Sequence, residues 1–202
     1  CMFEMVCVTA RALCPGDFLS QLERVAAAGV DKVILREKDL PEPAYKALAA
    51  SALELCRRHE VACVLHNFPQ TAKELGARAL HLPLPRLRKL PPQEREGFPL
   101  LGTSCHSLED VLEAAKLGCS YVTLGHIFPT GCKPGLPPRG VEFLTQVCRA
   151  SPLPVYAIGG IGPENVAQVK QAGAAGACVM SGLMTDTDPA RLVRQLRKEA
   201  GA

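Results

Sequence analysis

The residues best suited to chemistry follow an apolar run at positions 121–124, which is typical of a buried strand. His126, Thr130 and Lys133 lie within eight residues of one another, in a segment rich in glycine and proline. An imidazole titrates at about pH 6.5 and can therefore both accept and donate a proton near neutrality. α/β folds place their chemistry at the carboxyl ends of parallel strands. We therefore predict that His126 is catalytic and that Thr130 and Lys133 bind substrate.

Polar residues also stand where other apolar runs end. Arg36 and Lys38 end the second run, and because side chains alternate along a strand, both point to one side while Glu37 points to the other. Two cations suit an anion such as a carboxylate or a phosphate, so both are predicted to bind substrate, with a solvated charge cluster at the rim as the alternative. A histidine at a strand end is often only a hydrogen-bonded structural group, and that alternative stays open for His66, His81 and His106. The candidate pocket residues are His66, Ser104 and His106.

Two glycine- or serine-containing loops follow the seventh and eighth apolar runs. Glycines allow backbone N–H groups to approach an anion, and the start of a helix adds partial positive charge. Loops at these two positions commonly bind phosphate in eight-stranded parallel barrels, although glycines can also serve only as tight turns. The predicted phosphate-binding residues are Gly159, Gly160, Met180, Ser181 and Gly182.

The elements that must position these residues form a repeated pattern. Eight short apolar runs occur, and most are followed by turn residues and an amphipathic stretch. Eight such units predict an α/β fold, a single (β/α)8 TIM barrel over residues 1–202, with a doubly wound sheet as the alternative. The predicted strands are 5–9, 32–36, 62–66, 79–82, 100–104, 121–125, 155–158 and 177–180. The predicted helices are 18–28, 41–58, 70–75, 108–117, 140–148, 163–172 and 189–199, with a short candidate at 86–90 in a proline-rich fourth unit.

Several helix ends carry explicit signals. Ser107 precedes two acidic residues and is predicted to cap a helix, and Pro163 is predicted to stand at a first helical position. Gly29, Gly118 and Gly173 each follow a helical stretch directly before a strand, as glycines that end helices do.

Composition limits the classes of function. The net charge is only +3 and no block of Lys and Arg exceeds two residues, so nucleic acid is not an expected partner. No apolar run approaches the ~20 residues of a membrane span, and no signal segment leads the chain, so a cytoplasmic protein without a membrane partner is expected.

Metals and disulfides are not expected either. The ten cysteines include no C-x-x-C pair and no zinc-ligand spacing, which favours reduced, structural thiols. No Asp or Glu pair follows the third or fourth strand, where Mg²⁺ would need carboxylates. The sequence therefore predicts no cofactor and no metal.

These features together resemble the thiamine phosphate synthase/TenI superfamily of barrels, and the resemblance runs nearly end to end. Its markers are Leu-Arg-Glu-Lys at 35–38, Gly-Thr-Ser-Cys-His-Ser at 102–107, the segment 121–140, and the stretches 154–161 and 179–182.

The superfamily has two branches, and single positions point to one of them. The resemblance implies that a synthase would have glutamine at Ile34, an aspartate after strand three and another aspartate at Arg86. It also implies proline after the glycine that ends strand six, where this chain has His126. The chain is therefore similar to thiazole tautomerases of the TenI type, which are isomerases of thiamine biosynthesis.

That resemblance implies a metal-independent proton shift that converts a carboxythiazole phosphate with an exocyclic alkene into its aromatic tautomer. His126 would move the proton, Arg36 or Lys38 would hold the carboxylate, and the two glycine- and serine-containing loops would hold the phosphate. The small-molecule partner would be this thiazole phosphate carboxylate, and a homo-oligomer remains open. Two alternatives are a thiamine phosphate synthase that couples hydroxymethylpyrimidine diphosphate with thiazole phosphate, and a non-catalytic regulatory protein that binds such a ligand.

Overall fold

Eight parallel strands form a closed barrel in the computed structural model, which describes residues 2–131 and 134–201. Each strand pairs with the next in sequence, and β1 closes the ring against β8. The predicted (β/α)8 barrel is therefore confirmed, and the doubly wound alternative is wrong because a sheet of that kind has two open edges. The strands are β1 (Glu4–Val8), β2 (Lys32–Leu35), β3 (Ala62–His66), β4 (Ala79–Pro83), β5 (Leu100–Cys105), β6 (Tyr121–Leu124), β7 (Val155–Ile158) and β8 (Gly176–Val179).

Helices surround the barrel, and amphipathic faces pack them against it. A short 3-10 turn at Arg11–Leu13 follows β1, and a five-residue helix follows β8. The α-helices are α1 (Phe18–Ala27), α2 (Glu42–Arg58), α3 (Pro69–Glu74), α4 (Leu84–Lys89), α5 (Pro92–Glu96), α6 (Leu108–Lys116), α7 (Val141–Ala150), α8 (Val166–Gln171), α9 (Ser181–Thr185) and α10 (Pro189–Glu199). Within the described ranges, no helix has both the length and the apolar content needed to cross a lipid bilayer.

Most of the predicted helix ends are confirmed. The Ser107 side chain accepts a hydrogen bond from the Asp110 backbone N–H at 3.1 Å. Gly29, Gly118 and Gly173 have φ angles of 88°, 91° and 101°, which an L side chain rarely adopts.

Pro163 does not begin a helix, and that prediction is wrong. Helix α8 begins at Val166, because the Asn165 side chain closes a turn before it. Its Oδ1 accepts from the Gly162 N–H at 2.9 Å, and its Nδ2 donates to the Gly160 carbonyl at 2.9 Å. Residues 162–165 are therefore held as a turn at the end of β7.

The proline-rich fourth unit contains two short helices, where the sequence predicted one at 86–90. Pro85 and Pro92 stand in the first turns of α4 and α5. A proline is tolerated there because the first helical N–H groups have no partner within the helix. The prolines therefore set where these helices begin.

The barrel interior is filled by a small second core, distinct from the larger core between strands and helices. Both faces of the strands are thus buried, which explains their nearly continuous apolar sequence. Two tyrosine rings, Tyr121 and Tyr156, occupy the interior and meet edge to face at 5.5 Å between centroids. Gly102 and Gly176 leave the space for them: a Cβ at Gly102 would lie 2.0 Å from Cζ of Tyr121, and one at Gly176 would lie 2.9 Å from the Tyr156 ring.

We predict that Gly102→Ala lowers the free energy of unfolding by at least about 2 kcal/mol, since the added methyl group overlaps the Tyr121 ring inside a packed core. Gly16→Ala is the matched control, because a Cβ there meets no atom within 4 Å. Urea unfolding followed by circular dichroism measures both. Equal midpoints for the two variants would contradict the packing described.

Candidate active site

A cavity of about 300 Å³ opens at the carboxyl ends of the barrel strands. Its volume is at the lower end of the range for small-molecule sites. Gly182 does not line it, and Lys133 lies outside the described residues. The sequence-predicted residues that line the cavity are Arg36, Lys38, His66, Ser104, His106, His126, Thr130, Gly159, Gly160, Met180 and Ser181.

His126 lies at the end of β6 and is 7% exposed. Its Nε2 donates to the Leu136 carbonyl oxygen at 3.1 Å, so the ring holds the segment that follows it. The two ends of this segment are also tied together. The Arg139 N–H donates to the His126 carbonyl, and the Gly140 N–H donates to the Ile127 carbonyl, both at 2.9 Å. The imidazole thus has a structural contact within the cavity wall.

Gly159 and Gly160 bring the ends of β6 and β7 together. A Cβ at Gly159 would lie 2.2 Å from Cβ of His126, and one at Gly160 would lie 2.3 Å from the Pro129 carbonyl oxygen. Their φ angles, 106° and 68°, also favour glycine. Both glycines are therefore required by packing, and phosphate binding at this place stays a prediction.

The end of β2 separates two cations from an acid, as alternation along a strand predicts. Arg36 and Lys38 line the cavity. Glu37 is buried on the other side, where it accepts hydrogen bonds from Thr9 Oγ1 at 2.7 Å and from Arg11 Nη1 at 3.0 Å. The Glu37 charge is balanced by Arg11, and the cavity receives only the positive charges.

A hydrogen-bonded chain runs from the barrel interior to the cavity through His81. His81 Nδ1 lies 2.8 Å from the Tyr121 hydroxyl, and His81 Nε2 lies 2.9 Å from Ser104 Oγ. Burial, and to a lesser extent the nearby Arg36, lower the pKa of His81 to about 3, so the imidazole is neutral and carries one proton.

The proton position in this chain follows from its partners. If His81 Nδ1 carried the proton, the buried Tyr121 hydroxyl would have no acceptor among the described residues, at a cost of about 1–3 kcal/mol. Tyr121 therefore donates to Nδ1, and Nε2 donates to Ser104. The Ser104 hydroxyl, whose oxygen already accepts this bond, is left to donate its own proton into the cavity.

His66 lies beside His81, with the two rings stacked at 5.9 Å between centroids. It is 3% exposed, and its Nδ1 has no hydrogen-bond partner among the described residues. Burial lowers its pKa to about 3, with smaller contributions from His81, Arg36, Lys38 and Arg86. Positive charge therefore surrounds a neutral imidazole at this end of the cavity.

Sequence reasoning gave no functional role to Tyr121, Asn67 or Arg86, which do not line the cavity but adjoin residues that do. Arg86 Nη1 donates to the Asn67 carbonyl oxygen at 2.6 Å and to Asn67 Oδ1 at 2.9 Å. Asn67 has a φ of 78°, which asparagine adopts more readily than most residues. An Asn directly after a strand carried a signal for such a turn, whereas nothing in the sequence indicated its contact with Arg86.

The residues near the cavity do not suit a magnesium ion. In the described part of the chain, no group of three or more His, Cys, Asp or Glu side chains could hold a metal. Glu37 is turned away, and Asn67 Oδ1 accepts from a guanidinium. Mg²⁺ prefers carboxylate oxygens and is repelled by the cations that lie here instead.

Comparisons with known proteins assign this chain to a family. A family model described as "TMP-TENI: Thiamine monophosphate synthase" matches residues 5–183. The thiamine-phosphate synthase of Thermus thermophilus is 36% identical over 183 residues, covering 89% of this chain and 87% of that protein. The thiamine-phosphate synthase of Albidiferax ferrireducens is 38% identical, covering 86% of this chain and 82% of that protein.

A solved structure agrees with these relatives. Thiamine phosphate pyrophosphorylase from Pyrococcus furiosus superposes with a TM-score of 0.84 and 25% sequence identity, and the match covers 98% of this chain and 96% of that one.

The expectation of an isomerase, a thiazole tautomerase, is wrong, because these relatives are synthases and therefore transferases. It depended on His126 and on a few missing carboxylates, whereas the similarity extends over 183 residues. The structure adds a physical reason: His126 donates through Nε2 to Leu136, so a histidine at this position can serve to hold the segment.

We predict that His81 makes the free energy of unfolding depend on pH. Its folded-state pKa of about 3 lies below the 6.5 of an exposed imidazole, so the unfolded state binds more protons between these values. His81 therefore has no effect above pH ~6.5 and destabilises the fold as pH falls below it, by up to about 1.4 kcal/mol per pH unit.

Urea unfolding between pH 7.5 and 4.5 tests this prediction. His81→Gln should reduce the slope of unfolding free energy against pH, whereas Tyr121→Phe, which keeps the buried imidazole, should retain it. The same slope in His81→Gln and the wild type would show that folding does not lower the pKa of His81.

Proposed function

This chain belongs to the thiamine monophosphate synthase family, and we propose that it is a thiamine phosphate synthase, which couples hydroxymethylpyrimidine diphosphate with thiazole phosphate and releases inorganic diphosphate. The observation that carries the proposal is the 36% identity to a synthase along nearly the whole barrel. Support comes from the cavity, which has charged and polar donors suited to two phosphorylated substrates.

The reaction is a substitution at one carbon. The thiazole nitrogen forms a bond to the methylene carbon of the pyrimidine, and the bond from that carbon to the diphosphate oxygen breaks. The electron pair of this bond leaves with the diphosphate, and the thiazole nitrogen becomes cationic. Groups that stabilise the departing negative charge are therefore the main requirement for catalysis.

The end of β2 offers such groups. Arg36 and Lys38 line the cavity, and the acid between them is turned away towards Arg11. The Ser104 hydroxyl, which His81 leaves as a donor, can supply a hydrogen bond to an oxygen of the same leaving group. In this proposal, Arg36, Lys38 and Ser104 bind the diphosphate.

The thiazole phosphate is assigned to the part of the cavity at the ends of β7 and β8. Gly159 and Gly160 after β7, and Met180 and Ser181 after β8, line the cavity there. These residues offer backbone N–H groups and carry no competing negative charge. Thr130 lines the cavity near the end of β6 and is assigned to the same substrate.

We predict that the purified protein forms thiamine phosphate from the two substrates, and that Arg36→Ala lowers kcat/KM by about 10- to 100-fold, as expected for loss of a charge-assisted hydrogen bond. Arg57→Ala is the matched control, because Arg57 pairs with Glu54 on the exposed face of α2. Conversion of the product to a fluorescent thiochrome measures the rate. The proposal is overturned if the folded wild-type protein makes no thiamine phosphate with or without Mg²⁺.

We further predict that Ser104→Ala and Tyr121→Phe both raise KM for the pyrimidine diphosphate, and that their effects are not additive. Tyr121→Phe allows His81 to reverse its tautomer, so that Ser104 donates to His81 and no longer to the substrate. A double-mutant cycle on kcat/KM measures the coupling. Additive effects of the two substitutions would show that Tyr121 does not set the direction of the Ser104 hydroxyl.

A further inference from the structure

Two guanidinium groups near His66 have no acidic partner. Neither Arg36 nor Arg86 forms an ion pair within the described ranges, whereas Arg11, Arg57 and Arg88 each pair with a carboxylate. Positive charge left unbalanced next to a concave surface favours binding of an anion.

Both guanidinium groups lie around His66, at the wall of the cavity. Arg36 lines the cavity with His66, whereas Arg86 does not line it but donates to Asn67, the residue that follows His66. Together with Lys38, they lower the pKa of His66, which is buried at the cavity wall, although burial itself is the larger cause. Arg36 and Lys38 come from the end of β2, and Arg86 comes from α4, after β4. Three cations therefore flank the end of β3, with Arg36 and Lys38 on the side of β2 and Arg86 on the side of β4.

Arg86 is held in position by Asn67. One nitrogen, Nη1, donates to both the carbonyl oxygen and Oδ1 of Asn67. The other two guanidinium nitrogens, Nε and Nη2, have no acceptor among the residues that the structure describes. A planar fork with donors of this kind binds phosphate oxygens in a bidentate manner.

We propose that Arg86, anchored by Asn67, binds a diphosphate together with Arg36 and Lys38, so that this protein binds diphosphate without a divalent metal. The two guanidinium groups without an acidic partner, with the Lys38 ammonium beside them, attract the negative charge of a diphosphate. They stand where a metal would otherwise be needed to neutralise that charge, and the same cations repel a free Mg²⁺ ion. Naming the diphosphate as that of the substrate rests on the proposed synthase function, whereas the anion site itself does not.

Inorganic pyrophosphate, titrated calorimetrically into the protein in EDTA, is the direct probe. We expect it to bind in EDTA, with Mg²⁺ giving no increase in affinity. Arg86→Ala should weaken this binding by about 10- to 100-fold. Arg88→Ala is the matched control, because Arg88 lies two residues further along and pairs with Glu113, with Nη2 and Oε1 2.8 Å apart. Pyrophosphate that binds only with Mg²⁺, or equally well to Arg86→Ala and the wild type, overturns the proposal.

A second variant separates a lost charge from a lost fold. Arg86→Asp should abolish binding in EDTA and regain part of it with Mg²⁺, since a carboxylate beside Asn67 Oδ1 provides oxygen ligands. Arg86 is exposed, so both variants should unfold at the wild-type urea midpoint. Arg88→Asp is the control for the added negative charge. If both variants lose the same affinity for pyrophosphate, and Mg²⁺ restores none of it, a specific role for Arg86 is contradicted.

The coupling reaction distinguishes this proposal from the proposed function. Metal-free binding of pyrophosphate that requires Arg86, without any formation of thiamine phosphate, would support the anion site and overturn the synthase. Thiamine phosphate formed only with Mg²⁺, together with pyrophosphate binding only with Mg²⁺, would support the synthase and overturn the metal-free site.

Discussion

Two glycines inside the barrel make the rest of the site possible. Gly102 and Gly176 have no side chain, and the space is filled by Tyr121 and Tyr156. Tyr121 fixes the tautomer of His81 and through it the direction of the Ser104 hydroxyl. Tyr156 donates to Glu4 at 2.6 Å at the opposite end of the barrel. The interior is therefore a packed core that also carries polar groups to both ends.

The distribution of charge is the second organising feature. Glu37, which stands between two cations in sequence, is removed from the cavity by alternation along β2 and is neutralised by Arg11. Arg36 and Arg86 keep their charges unbalanced among the described residues. A cavity that is positive and poor in carboxylates is suited to phosphorylated ligands and unsuited to a metal ion.

The fold could be predicted because strands buried on both faces leave a strong apolar signal, and the β3 and β7 bounds were predicted without error. The turn before α8 was missed because the side chain of Asn165 decides it, against the local preference of Pro163. The contacts of the site were harder to predict. Tyr121 and His81 are 40 residues apart and meet only through the strand register, and Arg86 reaches Asn67 across 19 residues. The activity was predicted wrongly because single positions were given more weight than the whole chain.

The segment after β6 leaves and returns to the barrel at one place. Hydrogen bonds join Arg139 to His126 and Gly140 to Ile127, so its two ends lie side by side before α7 begins. Backbone hydrogen bonds at these two ends close the segment. The number of residues between the ends can therefore change with little effect on the barrel. The sequence and length of this segment can therefore vary and change which ligands enter the cavity, while the eight strands stay the same.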